Sequence, residues 1–329
     1  MLKGLKHKKL LAIAMSALLA MGLAGCGSEK QDGAKAVKKI GVIQLVQHGA
    51  LDAANKGFVD GLASRGYKDG ENIKIDQQNA QGDQSNLKTI SQRFVNDKVA
   101  LIYALATPAA QIVANETKDI PIVGSAITDY VAAKLVKAND KPGGNVTGTT
   151  NYMPARRQID LALKLVPQAK TVGALYNLGE VNSQMQVKEM KAYAAEKGLK
   201  VIEATVTSVN DIQQAVQSLV GKVDFIYCPT DNTIASAMAN VAKVALPAKL
   251  PVIVGDETMV KTGGLAGVSV DYYKLGFQAG LMAADMLDGM AKPADMPIQQ
   301  QENVAVVINR EAARAIGLNV PEEIMATAK

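Results

Sequence analysis

The chain has no tryptophan, two cysteines and two histidines in 329 residues, and only 4% of it is aromatic. Each scarcity closes off a class of function. His7 lies near the amino terminus, so His48 is the one histidine of the body, and Cys26 and Cys228 are too few for a disulfide framework. A zinc site built from His and Cys cannot be assembled from that stock, and neither a metal nor a cofactor is expected. No Gly-x-Gly-x-x-Gly follows the first strand-like run, and Gly-Lys-Ser/Thr phosphate loops and Gly-x-Ser-x-Gly nucleophile turns are also missing. Asp256 and Glu257 are adjacent, but nothing sets a carboxylate pair across a scissile bond. His48 has no nucleophile that can be placed beside it, so it reads as a cleft-lining polar contact rather than a general base. An enzyme is the weaker reading.

Strong charge is absent as well. The formal net charge is +5, and Lys3, Lys6, Lys8 and Lys9 supply four of those charges in a leader with no acidic residue. The body is close to neutral, which gives no footprint for nucleic acid. The apolar run Leu10–Leu23 is shorter than the ~20 residues of a permanent membrane span and has the proportions of a secretory signal. It ends in Leu23-Ala24-Gly25-Cys26, which resembles the lipobox of bacterial lipoproteins. That resemblance implies cleavage before Cys26 and acylation of its thiol, with residues 1–25 as signal peptide. An uncleaved signal anchor is the alternative. The polar stretch that follows reads as a lipidated flexible tether over 26–38. Cys228, inside an apolar run, reads as a buried small hydrophobe.

From Ile40 onward, short β-rich runs alternate with segments whose apolar residues recur three and four apart. The strand-like runs are Ile40–Leu45, Ile73–Gln77, Leu101–Ala104, Ile120–Val123, Thr171–Tyr176, Lys200–Ala204, Asp224–Tyr227, Val252–Val254, Gly267–Val270 and Asn303–Ile308. This alternation predicts an α/β protein with parallel sheets covered by helices on both faces. Roughly 290 residues after the leader exceed one usual hydrophobic core, so two similar doubly wound lobes are expected. The turn-rich stretch Asn139–Gly148 suggests the break between them, with Tyr272–Met290 as one long helix.

In open α/β sheets ligands gather at the carboxyl ends of strands. Polar residues recur there. Gln47, His48 and Leu51 follow the first strand; Thr107 and Pro108 follow the third; Thr128 and Asp129 follow the fourth. In the second half the equivalents are Asn177, Glu180, Asn182 and Ser183, then Thr230, Asp231 and Asn232, then Asp256. Asn151, Tyr152 and Asp271 flank the expected crossings between lobes, where Tyr152 and Tyr272 either line a pocket or pack an interface. Thr107, Asp129, Ser183, Asp231 and Asp256 are each sound helix caps too. Taken together, they suit a zwitterion. Thr107 and the N–H groups of the helix start at Ala109 hold a carboxylate, and Asp231 or, second, Asp256 meets an ammonium.

Several motifs in order carry a wider likeness. They are Gly41–Gln44 with His48–Asp52, Pro142–Gly148, Asn177–Ser183, Pro229–Thr233, Gly255–Glu257 and Val268–Tyr273. In these the chain resembles the substrate-binding lipoproteins of ABC importers, closest to the tryptophan- and tyrosine-associated group. The resemblance implies a periplasmic-binding-protein-like fold of type I, two lobes joined by a three-crossover hinge. It divides the chain into 39–149 plus 271–298 for the amino-terminal lobe and 150–270 plus 299–329 for the carboxyl-terminal lobe. It implies an extracytoplasmic, lipid-anchored monomer that captures an aromatic L-amino acid for a permease and its ATPase. A sugar-binding transport component and a lipid-anchored ligand sensor are the alternatives.

Overall fold

The computed structural model describes residues 37–302 and 304–329. The signal, lipobox and nearly all of the tether expected from the sequence lie outside the described residues. Within them, two six-stranded sheets form. The first contains β1 (Lys38–Gln44), β2 (Ile73–Asn79), β3 (Leu101–Leu105), β4 (Ile122–Ile127), β5 (Val146–Thr150) and β11 (Gln299–Gln300), in the order β11-β5-β4-β3-β1-β2. The second contains β6 (Thr171–Asn177), β7 (Lys200–Val206), β8 (Phe225–Cys228), β9 (Val252–Val254), β10 (Ala266–Ser269) and β12 (Ala305–Ile308), in the order β12-β10-β9-β8-β6-β7. Every pairing is parallel except β10 with β12. The fold is therefore α/β, with two doubly wound lobes of parallel-dominated sheets.

The chain passes between sheets three times: after Thr150, after Ser269, and between Gln300 and Ala305. Two details differ from the sequence reading. Lys38, expected in the tether, pairs with Ile73 as the first residue of β1. Gln299 and Gln300, expected in the second lobe, pair with Thr149 and Thr150 on the edge of the first sheet. Two polar residues make no periodic pattern, so only their partner reveals them as a strand.

The first lobe is locked by a helix from late in the chain. Gly57 and Gly61 on helix Gly49–Ser64 face Gly276 and Gly280 on helix Tyr272–Leu287. A Cβ on Gly57 would collide with the Tyr273 carbonyl, and one on Gly276 with the Ala54 carbonyl. The two backbones thus touch, as small residues spaced four apart permit. Phe58 from the same first helix stacks on Tyr103 of β3 at 3.8 Å. Among the described residues no helix is long and apolar enough to cross a membrane.

Candidate ligand cleft between the lobes

The carboxyl ends of both sheets meet. His48 Nε2 lies 3.3 Å from Asn232 Oδ1, and Thr128 Oγ1 lies 3.3 Å from Thr230 Oγ1. Gly49 lies against the Thr258 side chain, so close that a Cβ there would press on it. Each of these pairs joins one lobe to the other, so the cleft is closed.

On the first rim the backbone is strained. Ala106, after β3, has φ 82° and ψ 154°, a region that is otherwise glycine's. Ala126, beside it on β4, has φ 58°, where the register between β4 and β5 shifts. Such conformations cost ~1–3 kcal/mol each and persist where the surroundings over-determine them. Ala106 N–H donates to Ser125 O at 3.0 Å, which ties the two strained tips together. The strain delivers Thr107 and Pro108 as the first turn of helix Thr107–Glu116. First-turn N–H groups have no intrahelical acceptor, and Pro108 brings none. Thr107 Oγ1 is buried and has no partner among the described residues.

At the crossing after β5, Asn151 donates from Nδ2 to the Tyr272 hydroxyl at 2.8 Å, while its Oδ1 is buried and has no partner among the described residues. Burial raises the Tyr272 hydroxyl well above its ordinary pKa, and the negative charge of Asp256 adds to the rise. Asp256, the N-cap of the short helix Glu257–Lys261, is buried on the second rim. Its three donors, Thr258 N, Thr258 Oγ1 and Met259 N, all fall on Oδ1.

The second rim is a dense network around two other carboxylates. Glu180 accepts from Asn182 Nδ2, from Asn232 N and Nδ2, and from Thr233 N and Oγ1, at 2.5–3.0 Å. Asp231 accepts from Ile234 N, Asn177 N and Ser183 Oγ at 2.7–2.9 Å. Burial, then the neighbouring Glu180 charge, pushes the Asp231 carboxyl up to about 7. Asn182 spends Nδ2 on Glu180, Ser183 and Thr230, and among the described residues its buried Oδ1 has no partner.

The family model described as "ABC transporter substrate binding protein" matches residues 39–329. The chain belongs to that family. It is 42% identical over 324 residues to a tyrosine-binding protein of Clostridioides difficile, covering 95% of this chain and 94% of the relative. A crystal structure from Streptococcus pneumonia in complex with L-Trp is 44% identical, with 89% of this chain and 98% of that one aligned and a TM-score of 0.85. A ligand-free, open substrate-binding protein with adhesive properties from Clostridium difficile is also 44% identical, aligning 89% and 99% of the two chains, but with a TM-score of only 0.68. At equal identity, this chain superposes more closely on the liganded relative than on the open one.

Within that cleft the residues singled out from sequence divide into groups. Thr107, Thr128, Asn151, Asn182, Thr230, Asn232 and Asp256 are buried at the two rims, with half-buried His48 at the first. Leu51, expected to line the cleft, is a fully buried core side chain of the first lobe, because it sits on the inward face of helix Gly49–Ser64. Gln47 is exposed, and Pro108 is buried in its helix turn. Asp129 caps a turn through Val131 N and Ala132 N, and Asp271 caps helix Tyr272–Leu287 through Lys274 N. Asn177 bonds Thr233 and Gly179, and Tyr152 donates to Glu189 at 3.2 Å. Asp231, first choice for the ammonium, is occupied with Asn177, Ser183 and Ile234 of its own lobe. Gln186 went unnoticed in the sequence: its Oε1 accepts from Thr230 N and Oγ1, orienting the hydroxyl that faces Thr128. Nothing but the 3.6-residue spacing from Asn182 and Ser183 marks it.

Proposed function

We propose that this protein captures an aromatic L-amino acid between its lobes and releases it to an ABC permease driven by a separate ATPase. The observation that carries the reading is the set of groups the closed cleft leaves unused. Thr107 Oγ1 and the adjacent helix start suit a carboxylate, while Asn151 Oδ1 and the Asp256 oxygen free of intralobe bonds suit an ammonium. A zwitterion needs both poles, and Thr107 stands on the first rim while Asp256 stands on the second. Ligand contacts on both lobes favour the closed form by differential affinity. The relative named for tyrosine and the neighbour holding L-Trp favour an aromatic side chain.

Asp256 takes the ammonium role in place of Asp231. Calorimetry on ligand-stripped protein tests this with L-Trp, L-Tyr and L-Phe, their amides and their N-acetyl forms. Amides and N-acetyl forms are expected to bind far more weakly. Asp256→Asn is expected to weaken binding roughly 10- to 100-fold, the loss of a charge-assisted hydrogen bond, with little change in ligand-free stability because Asn also caps helices. N-acetyl forms that bind as tightly as the free amino acids would reject the zwitterion model and favour a neutral solute such as a sugar.

The protein acts outside the cytoplasmic membrane, held there by acyl chains on Cys26. Two or three chains anchor stably where one does not, at ~0.8 kcal/mol per buried methylene. Cys26→Ser is expected to abolish acyl labelling and membrane partition; labelling that persists disproves the anchor.

A further inference from the structure

His48 precedes helix Gly49–Ser64 in an extended conformation, φ −162°, and its side chain caps nothing there. Instead Nε2 reaches Asn232 Oδ1 on the other lobe. The direction of that bond is set from the far side. Glu180 Oε2 accepts from Asn232 N at 3.0 Å and from Asn232 Nδ2 at 2.5 Å, which turns the amide so that Oδ1 faces His48. An amide oxygen only accepts, so Nε2 must carry the hydrogen. In the neutral ring Nδ1 is then a bare acceptor. It is buried, and no donor among the described residues reaches it. A second proton on Nδ1 would fare no better, since it would be a buried donor with no acceptor. A buried acceptor left empty is costly, and such groups are filled by protein, water or ligand.

We infer that His48 is a specificity-determining residue: Nε2 latches the lobes through Asn232, and Nδ1 accepts a hydrogen bond from the bound amino acid. The inference rests on the amino-acid reading above. The donor is an N–H of the ligand ammonium or the ring N–H or O–H of tryptophan or tyrosine. Glu180 is the positioning residue, because it fixes the amide that fixes the tautomer.

Nitrogen-15 NMR of the full-length chain tests it directly. His7 is the only other histidine, so the signals missing from His48→Gln identify His48. With saturating L-Trp or L-Tyr, His48 is expected to show one tautomer, protonated at Nε2, with the Nδ1 resonance displaced by an accepted hydrogen bond. L-Phe distinguishes the two donors. If it displaces Nδ1 equally, the ammonium is the donor; if it leaves Nδ1 unmoved, the ring is. An Nδ1 resonance unmoved by all three, under conditions where calorimetry shows them bound, overturns the inference while leaving the amino-acid reading intact. Failure of all three to bind overturns both.

Isosteric variants give a second measure. His48→Gln places an amide N–H near the Nε2 position and nothing at Nδ1; His48→Asn does the reverse. His48→Gln is expected to weaken binding about tenfold while ligand still contracts the protein in solution scattering. His48→Asn is expected to lose less affinity for the ligands that displace Nδ1, and to bind with the lobes less fully closed. Parental affinity in His48→Gln refutes the Nδ1 contact.

Discussion

The first rim buries only uncharged polar side chains, Thr107, Ser125, Thr128 and Asn151 among them, whereas Glu180, Asp231 and Asp256 on the second rim are the only charged residues buried among those described. The first rim also holds the two strained alanines and the unpartnered Thr107 hydroxyl. The second wraps Glu180 in five hydrogen bonds and Asp231 in three. A buried anion is tolerable only when such donors replace its water. The second rim is thus a pre-assembled acidic block, and the first is a strained, under-bonded surface. The contrast is what the proposed zwitterionic ligand would exploit, with its two ends on unlike rims.

The block is broken most severely at its centre. Glu180→Ala strands donors from Asn182, Asn232 and Thr233, and is expected to cost about 3–5 kcal/mol of unfolding free energy in urea melts. A loss near zero would mean that the network follows the fold rather than supporting it.

A pH series probes the same block more gently. The Asp231 carboxyl is raised from an ordinary 3.8 to about 7 in the folded protein, by burial and then by the Glu180 charge. Between those values the folded form binds the extra proton. This contribution to stability is therefore full below about pH 4 and is lost as pH rises towards 7, at about 1 kcal/mol per pH unit. Asp231→Asn is expected to flatten that slope. It should also lower stability outright, since one amide oxygen cannot accept from Asn177 N, Ser183 Oγ and Ile234 N as a carboxylate does. A slope unchanged in the variant would place the titration elsewhere.

The smallest effect is expected on the first rim. Ala106→Gly relieves a backbone conformation that only glycine adopts freely, and should stabilise the ligand-free protein by about 1 kcal/mol in the same melts. A loss of stability there would remove strain from the contrast between the rims.

Much of the architecture was visible in the chain's periodicity. Strand–helix alternation indicated parallel sheets, and polar residues after the strands indicated the facing rims. β5 was not visible, because Val146-Thr147-Gly148-Thr149-Thr150 has the look of a turn-rich linker. It is fully buried because its hydroxyls find distant partners: Thr147 donates to Met296 O, Thr149 to Leu275 O and Thr150 to Thr128 O. Leu51 and Asp231 were misplaced for a related reason. Both sit in polar motifs at strand ends, and only their neighbours in space send one to the core and the other to its own lobe's network.

Local order along the chain determined what recurs at short range: apolar period and helix caps. Tertiary structure decided what depends on partners far apart in sequence. Gly57 and Gly276 are separated by more than two hundred residues, yet neither could carry a side chain where their helices cross. His48 and Asn232, far apart in sequence, meet across the two lobes. A hydrogen-bonding group in the sequence declares what it can donate or accept, but whether it is filled, and by what, is settled by the groups that the fold brings within 3 Å or so.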